Sequence, residues 1–442
     1  VMEYGTRNER TLERNQDNFE WHYRYDALLR PDQQTDPNGT VRTVVYDAGG
    51  RIDYVSLSTG RVDDYGYDEN NNIVLLSRSR PGDPPTSTML AYDALDRVTE
   101  VTDAFGKRVR YGYDAMGRVR TLTYPDNKVL NQTFVNLGRL LTQTDWGSRV
   151  TTYAYDKADR MIYRRYPNGI VQSNAFDEAG RIVDLRYLGT GGYPIITMTY
   201  GYDRNGNKTG WSEEGTLRWP LPSLTDEKAD YTASGRLIDR EITPLDVANP
   251  QPVTLNYSYD ASGNMTNAVT VGGGQKWTLT YDEDNRTTSI RWETTLTAKH
   301  IVNRYDALGR RISRTLDGVE TRYALDLAGG MERILCDVNA SGAITAWYVH
   351  GPDLAYKVDA GDNLTCYHVD GMANIIALSD GAANTIAQYA YTPYGRVVGS
   401  TNLQSQISNP YLFVGSEGVL EELPVLYFMR AGSYSAEAGL FL

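Results

Sequence analysis

Four histidines, two cysteines and a long series of aspartates are the residues here with the means to do chemistry, and their spacing decides what chemistry is open to them. His22, His300, His350 and His368 are scattered, with no partner at the intervals that a zinc site or a nucleophile–base–acid triad needs. They read as surface or strand-packing residues. The run DRNGNKTGWSEE at 203–214 places Asp203, Asn205, Asn207 and Glu214 at positions 1, 3, 5 and 12 of a calcium loop, but Lys208 takes the sixth position, where such loops need glycine. Turn chemistry accounts for it better. Paired carboxylates would suit glycoside hydrolysis, yet no pair stands out, because the aspartates recur along the whole chain. Cys336 and Cys366 are too few for a disulfide framework and read as buried thiols, the alternative being one bridge between them. No catalytic, cofactor-binding or metal-binding residue is assigned, and no cofactor is expected.

The aspartates recur because turns need them. Stepping outward from YGYDAMGRV at 111–119 in search of an aromatic, then Asp, two variable residues, Gly and Arg, the aromatics fall at Tyr25, Tyr46, Tyr67, Tyr92, Tyr113, Phe134, Tyr155, Phe176, Tyr202, Tyr231, Tyr259, Tyr281 and Tyr305. Six of the twelve intervals are 21 residues, so the chain is a repeat array. The aromatic is followed by Asp26, Asp47, Asp68, Asp93, Asp114, Asp156, Asp203, Asp260 and Asp306, among others. An aspartate opening a turn accepts a backbone N–H two residues on, and the closing position favours glycine, as at Gly117 and Gly309 before Arg118 and Arg310. Where glycine is missing, Asn71, Asp96, Asp159 and Asn285 stand in, residues that tolerate positive φ. Leu29 is the misfit, and its turn is expected to be distorted or differently built.

A second series of turns lies between the first: DPNG at 36–39, STG at 58–60, DAFG at 103–106, YPDN at 124–127 and YPNG at 166–169. Each unit is therefore two strands joined by tight turns, and the array is an up-and-down meander. The fold class expected is all-β, a long meander of hairpins curled into a hollow shell or coiled sheet. Thirteen units give about 26 strands and a strip about 120 Å long, which must curl or stack to bury its apolar face. Tyrosines two apart, as in Tyr111/Tyr113 and Tyr200/Tyr202, share one face and form an adhesive stripe. The largest insertion, at 211–230, would plug, cap or brace the assembly. The arginines after the turns, Arg51, Arg97, Arg118, Arg139, Arg160, Arg181, Arg236, Arg286 and Arg310, read as a solvated ladder with cross-strand acidic partners in preference to a cargo- or glycan-binding stripe.

Composition agrees: 34 Tyr against 7 Phe, and 41 Gly, suit half-exposed strands and tight turns. A net charge of -12 argues against a nucleic-acid partner. No apolar run approaches the roughly 20 residues of a membrane span.

The YDAxGR run at 21-residue spacing resembles the YD-repeat proteins of the Rhs type, which include the C-subunits of insecticidal toxin complexes and, more distantly, the teneurins. The C-terminal part resembles the Rhs-associated core: YAYTPYGRVVG at 389–399 carries Tyr391, Pro393 and Gly395, and the stretch at 409–442 carries Tyr427, Arg430 and Gly439. Gly432, Ser435, Ala436 and Leu440 depart from that pattern. The resemblance implies a repeat shell over 1–388 and a core segment over 389–442, truncated before the region where many relatives cut themselves by an aspartyl-type reaction. It implies a structural shell of a secreted or cell-surface bacterial effector, enclosing its own C-terminal cargo, with a second shell subunit or delivery apparatus as further partner. The alternative is a surface-displayed adhesion module of the teneurin or wall-associated kind, binding carbohydrate or protein.

Overall fold

The turn chemistry builds one hairpin after another. At Asp114 the backbone N–H bonds Arg118 O at 3.0 Å, and Gly117 N–H returns to Asp114 O at 3.0 Å. Gly117 has φ +79°, and the strand pairing shifts by one residue between Gly112 and Tyr113. This is a type I turn closed by a left-handed residue and a one-residue bulge, the three-residue-loop hairpin.

The computed structural model describes residues 1–215, 225–244, 251–329, 331–402, 409–430 and 432–441. The middle of the 211–230 insertion, residues 216–224, lies outside the described residues. Twenty described strands, from Met2–Tyr4 to Lys208–Gly215, form a first sheet in which each strand pairs antiparallel with the next. Sixteen more, Thr225–Tyr231 to Val397–Asn402, form a second sheet of the same kind. The strands Leu420–Leu423, Leu426–Met429, Gly432–Ser435 and Leu440–Phe441 make a small third sheet. Every described connection within these sheets is a meander, as the alternating turns require. The pairing of Thr385–Tyr391 with Val397–Asn402 extends the second sheet through the turn at 392–395.

Leu29 corrects an expectation. Its turn has the same bonds as the others: Leu29 N–H to Asp26 O at 3.0 Å, and Asp26 Oδ1 accepting from Leu28 and Arg30 N–H at 2.9 Å each. Leu29 takes φ +63°, because these bonds hold the backbone whatever side chain closes the turn. The strain stays in place, since a left-handed L-residue costs roughly 1–2 kcal/mol. Leu29→Gly is expected to raise stability by about 0.5–1 kcal/mol after glycine's own entropic cost, read as an upward shift in urea midpoint with unchanged slope.

The two sheets run in the same sense. Asp17 meets Ser234, Asn38 meets Ser262, Arg61 meets Glu283, Lys107 meets Gly342, and Tyr187 meets Val369. A strip folded back like a hairpin would instead pair the end of the first sheet with the start of the second. From the second strand to the twentieth, a flat strip would measure about 86 Å, whereas the 19 residues from Gly215 to Ser234 reach at most about 65 Å. The first sheet must therefore curve until its end comes back near its beginning. The ribbon is a coil, and it does not close into a barrel: among the described strands, the first does not pair with the twentieth.

Layers stack on this coil. Val101, Val109, Tyr111, Leu122 and Leu185 of the first sheet share a core with Leu335, Cys336, Val349, Tyr356 and Cys366 of the second. The opposite face of the second sheet, through Tyr348, Leu354, Tyr367 and Leu378, packs on Tyr411, Leu420 and Phe428 of the C-terminal segment. Strands Leu364–Val369 and Ile375–Asp380 are thus buried on both faces, and the burial extends to the polar His368 and Ser379.

Candidate functional site

The turn aspartate is the hub of a repeated clasp. Asp114 Oδ1 accepts Met116 and Arg118 N–H at 2.9 and 3.0 Å, and Oδ2 accepts Arg118 Nε at 2.6 Å. The Arg118 side chain, then its backbone N–H, hold this carboxyl below its ordinary pKa. The same clasp joins Asp26 to Arg30, Asp47 to Arg51, Asp93 to Arg97, Asp156 to Arg160 and Asp306 to Arg310. Asparagine supplies the amide donor at Asp68–Asn72, Asp203–Asn207 and Asp260–Asn264.

The clasped arginines of the first sheet then reach the next unit. Arg30 lies 4.2 Å over the ring of Tyr46, Arg97 4.4 Å over Tyr113, Arg118 4.6 Å over Phe134 and Arg181 4.7 Å over Tyr202. Arg139 and Arg236 lie over Tyr155 and Tyr259 at 5.4 and 6.0 Å. These arginines are therefore not a solvated cross-strand ladder. In the aspartate-led turns the guanidinium is fixed against its own aspartate and the aromatic quadrupole of the following repeat takes its open face; Arg139 and Arg236, whose turns open on Val135 and Thr232, meet their rings without that clasp. The hydroxyl of that aromatic bonds back: Tyr46 to Pro31 O, Tyr67 to Ile52 O, Tyr92 to Ile73 O, Tyr113 to Val98 O and Tyr305 to Thr287 O, at 2.6–2.8 Å. Tyr25 ends the strand Glu20–Tyr25 opposite Pro31.

In the pairs Tyr111/Tyr113 and Tyr200/Tyr202 the other tyrosine works between layers. Tyr111 Oη accepts Leu327 N–H at 3.0 Å, and Tyr200 Oη accepts Gly371 N–H at 3.0 Å. Charged groups close the seam elsewhere: buried Arg61 bonds Glu283 at 3.0 Å and Asp284 at 2.6 Å and lies 3.0 Å from Asp63, while Arg78 donates to Asp63 at 2.6 Å.

The core-segment residues converge at the third sheet. Tyr427 donates to Gly395 O at 2.8 Å, and Tyr391 to Ile375 O at 2.5 Å. The Phe413 ring fills the place a Cβ on Gly395 would need, and the Tyr394 ring does the same at Gly439. Pro393 sits in the turn closed by Gly395 N–H on Thr392 O, and Arg430 donates to Glu417 O. Beneath them buried Arg311 pairs with Glu422, whose other oxygen lies 2.8 Å from Arg314, and the Arg311 guanidinium stacks 3.6 Å from the Phe428 ring.

The RHS repeat family model matches residues 92–129 and 136–171. Those stretches carry RHS repeats. It is 28% identical over 190 residues to the tRNA3(Ser)-specific nuclease WapA of Bacillus spizizenii and 28% over 195 residues to the tRNA nuclease WapA of Bacillus subtilis. Each alignment takes in 42% of this chain and 8% of the relative, so the chain spans a small part of the curated relatives it matches. Its fold is that of the crystal structure of TcdB2–TccC3–Cdc42, at TM-score 0.58 and 12% identity, covering all of this chain and 28% of that one. The Photorhabdus luminescens Tc holotoxin pore matches at TM-score 0.59 and 12% identity, over 98% of this chain and 28% of that one.

The histidines divide by burial. His368 Nε2 lies 2.7 Å from Ser379 Oγ, but the pair sits inside the core with Asn168 on the same hydroxyl at 2.8 Å. Burial, and then the Arg164 charge, push His368 down to about 3, so it is neutral and serves as packing. The Asp203 carboxylate of the calcium-like run accepts from Asn205 and Asn207 N–H and from the Asn207 amide.

The seam groups escaped sequence reading, although one signal was present. Of the thirteen repeat turns only DEDN at 282–285 carries two acids in its middle positions, and those are the partners of Arg61.

In the C-terminal layer burial pushes Glu421 up to about 7, against the Arg314 charge. A carboxyl whose folded pKa is raised contributes stability that is full below its ordinary value near 4 and lost as pH climbs through 7. Amide protection of 420–429 is expected to fall between about pH 4 and 7. Glu421→Gln is expected to flatten that fall, and an unchanged profile would assign it to another group.

Proposed function

We propose that this RHS chain is a wall segment of a container, an Rhs-type shell that encloses a polypeptide cargo encoded beyond it in a secreted or surface-displayed effector. The observation that carries this reading is the forward-running seam: a ribbon that curves back to its start and continues alongside itself surrounds a space. Residues 1–388 supply the wall and 389–442 the closing segment, whose small sheet lies on the face of the second sheet turned away from the first. The wall's role is isolation, and its chemistry is the clasp and the seam. Coiling also leaves few strand edges open to aggregation.

The test uses the complete native gene product, with size-exclusion chromatography and denaturing mass spectrometry of the same peak. A smaller polypeptide from beyond Leu442 that stays in the peak until denaturation is expected. One intact chain with protease-accessible residues after Leu442 would overturn the container and favour an adhesion module.

A further inference from the structure

One long hairpin of the first sheet meets the second sheet beside Arg61. Its strands, Ile73–Arg80 and Asp83–Tyr92, have eight and ten residues, where the flanking strands Val62–Tyr67 and Val98–Thr102 have six and five. The extra length carries Arg78, Arg80 and Thr86 to the seam, with Arg78 directly opposite Thr86. There they line a cavity of about 50 Å³ together with Thr288, Asn303 and Arg304 of the second sheet.

Three guanidinium groups border this space, and each is only partly used. Arg78 gives Nε and Nη2 to Asp63 at 2.6 and 2.9 Å, which leaves Nη1 with the Tyr305 carbonyl at 3.5 Å, too long for a good bond. Arg80 gives Nη2 to Glu283. Arg304 donates to Pro84 O at 3.3 Å and pairs with no carboxylate among the described residues. The acids nearby are already shared: Asp63 and Glu283 each also serve Arg61, and Asp282 is clasped by Arg286. The exposed Asp83 is the remaining acid of the lining. Thr86 is 8% exposed, and its hydroxyl has no hydrogen-bond partner. A buried hydroxyl without a partner is costly, and guanidinium groups drawn from water need more acceptors than shared carboxylates give.

We propose that this cavity is an oxyanion site, which takes one free tetrahedral ion such as phosphate or sulfate between Arg78, Arg80 and Thr86 of one sheet and Arg304 of the other. Guanidinium forks suit an anion that offers several oxygen acceptors at once. The space has room for a few waters or one small oxyanion, and is far below the roughly 300 Å³ or more of an ordinary organic-ligand pocket. An ion held from both sides ties the two sheets together, so the seam tightens where the ion is plentiful. The site is independent of what the wall encloses.

The test is calorimetric titration of the complete native gene product with inorganic phosphate, at constant ionic strength set with sodium chloride. Saturable binding is expected, and amide exchange is expected to slow in both 76–88 and 302–306, by a factor that grows as 1 + [phosphate]/Kd. Arg304→Gln and Thr86→Val are each expected to weaken binding about tenfold or more, the loss of a hydrogen bond to a charged group. Thr86→Val removes a hydroxyl that has no partner, so its urea midpoint without phosphate is expected to be equal or higher; it decides the matter if Arg304→Gln fails to fold. Asp83→Asn is expected to tighten binding by about threefold, since a carboxylate on the lining repels the ion. Methyl phosphate, standing for a phosphoryl group carried by another molecule, is expected to bind at least tenfold more weakly, and equal binding would overturn the free ion as occupant. Heat that does not saturate, binding unchanged in Thr86→Val and Arg304→Gln, or slowed exchange confined to one sheet would overturn the site.

Discussion

Glu422→Ala will release the C-terminal layer. Its carboxylate is 1% exposed and answers Arg311, 2% exposed, and Arg314. Removing one partner of a buried pair leaves the other charge uncompensated, at a cost of about 3–5 kcal/mol. The loss falls on the third sheet, because Arg314 also donates to Glu422 O at 2.7 Å and Phe428 lies against the Arg311 guanidinium. Limited proteolysis is expected to cut within 409–430 while the first sheet stays resistant. The double variant Arg311→Met with Glu422→Leu separates charge from packing: it removes both ions and is expected to recover most of the loss, since well-packed apolar replacements of buried pairs are often neutral. If the double variant is as labile as the single one, the layer is not held by this pair.

Arg61→Ala should open the seam at the other end of the coil. Arg61 is buried among Asp63, Glu283 and Asp284, and without it these carboxylates keep only their outer partners Arg78, Arg80, Arg286 and Arg42. The cost is again about 3–5 kcal/mol, expected as faster amide exchange in both 57–64 and 282–286. Burial raises the pKa of Asp284, but Arg286, Arg61 and Arg42 more than offset it, and the net shift is downward. A depressed carboxyl contributes stability that is present above its ordinary value near 4 and lost as pH falls through the depressed one. The wild-type seam is therefore expected to weaken only below about pH 4, and in Arg61→Ala the loss should begin at higher pH. Exchange unchanged at 282–286 would mean that packing alone holds the seam.

What could be read in the sequence follows from how far each interaction reaches along the chain. Asp114 with Gly117 and Arg118, or Asp260 with Gly263 and Asn264, are partners within five residues, and their residue types disclose the hairpin. Leu29 misled because the types state a preference, whereas the bonds around Asp26 impose the conformation. The arginine clasp was half legible: the four-residue interval to aspartate is visible, but the ring that receives the guanidinium lies one repeat away. The seam was hidden, since Arg61 and Glu283 are 222 residues apart and any of the dispersed charges could have been the partner. The C-terminal layer was legible as a motif and not as a geometry. Gly395 and Gly439 each make room for a ring, at Phe413 and Tyr394, that no spacing rule connects to them.

The separation across the seam also sets a timetable for synthesis. Hairpins closed by turns form in microseconds, so the first sheet can assemble as each unit leaves the ribosome. Its inward face cannot be covered then, because the partner of Tyr111 is Leu327, 216 residues later. At about 5–20 residues per second, that face waits roughly 10–40 s for its cover. During that interval Val101, Val109, Tyr111, Leu122 and Leu185 lie on an open sheet of regular strands, a surface on which another nascent copy can lay its own second half. A producing cell must therefore keep neighbouring ribosomes apart or shield the half-made ribbon, and the yield of correctly wound protein should depend more on translation spacing than on the stability of the finished wall.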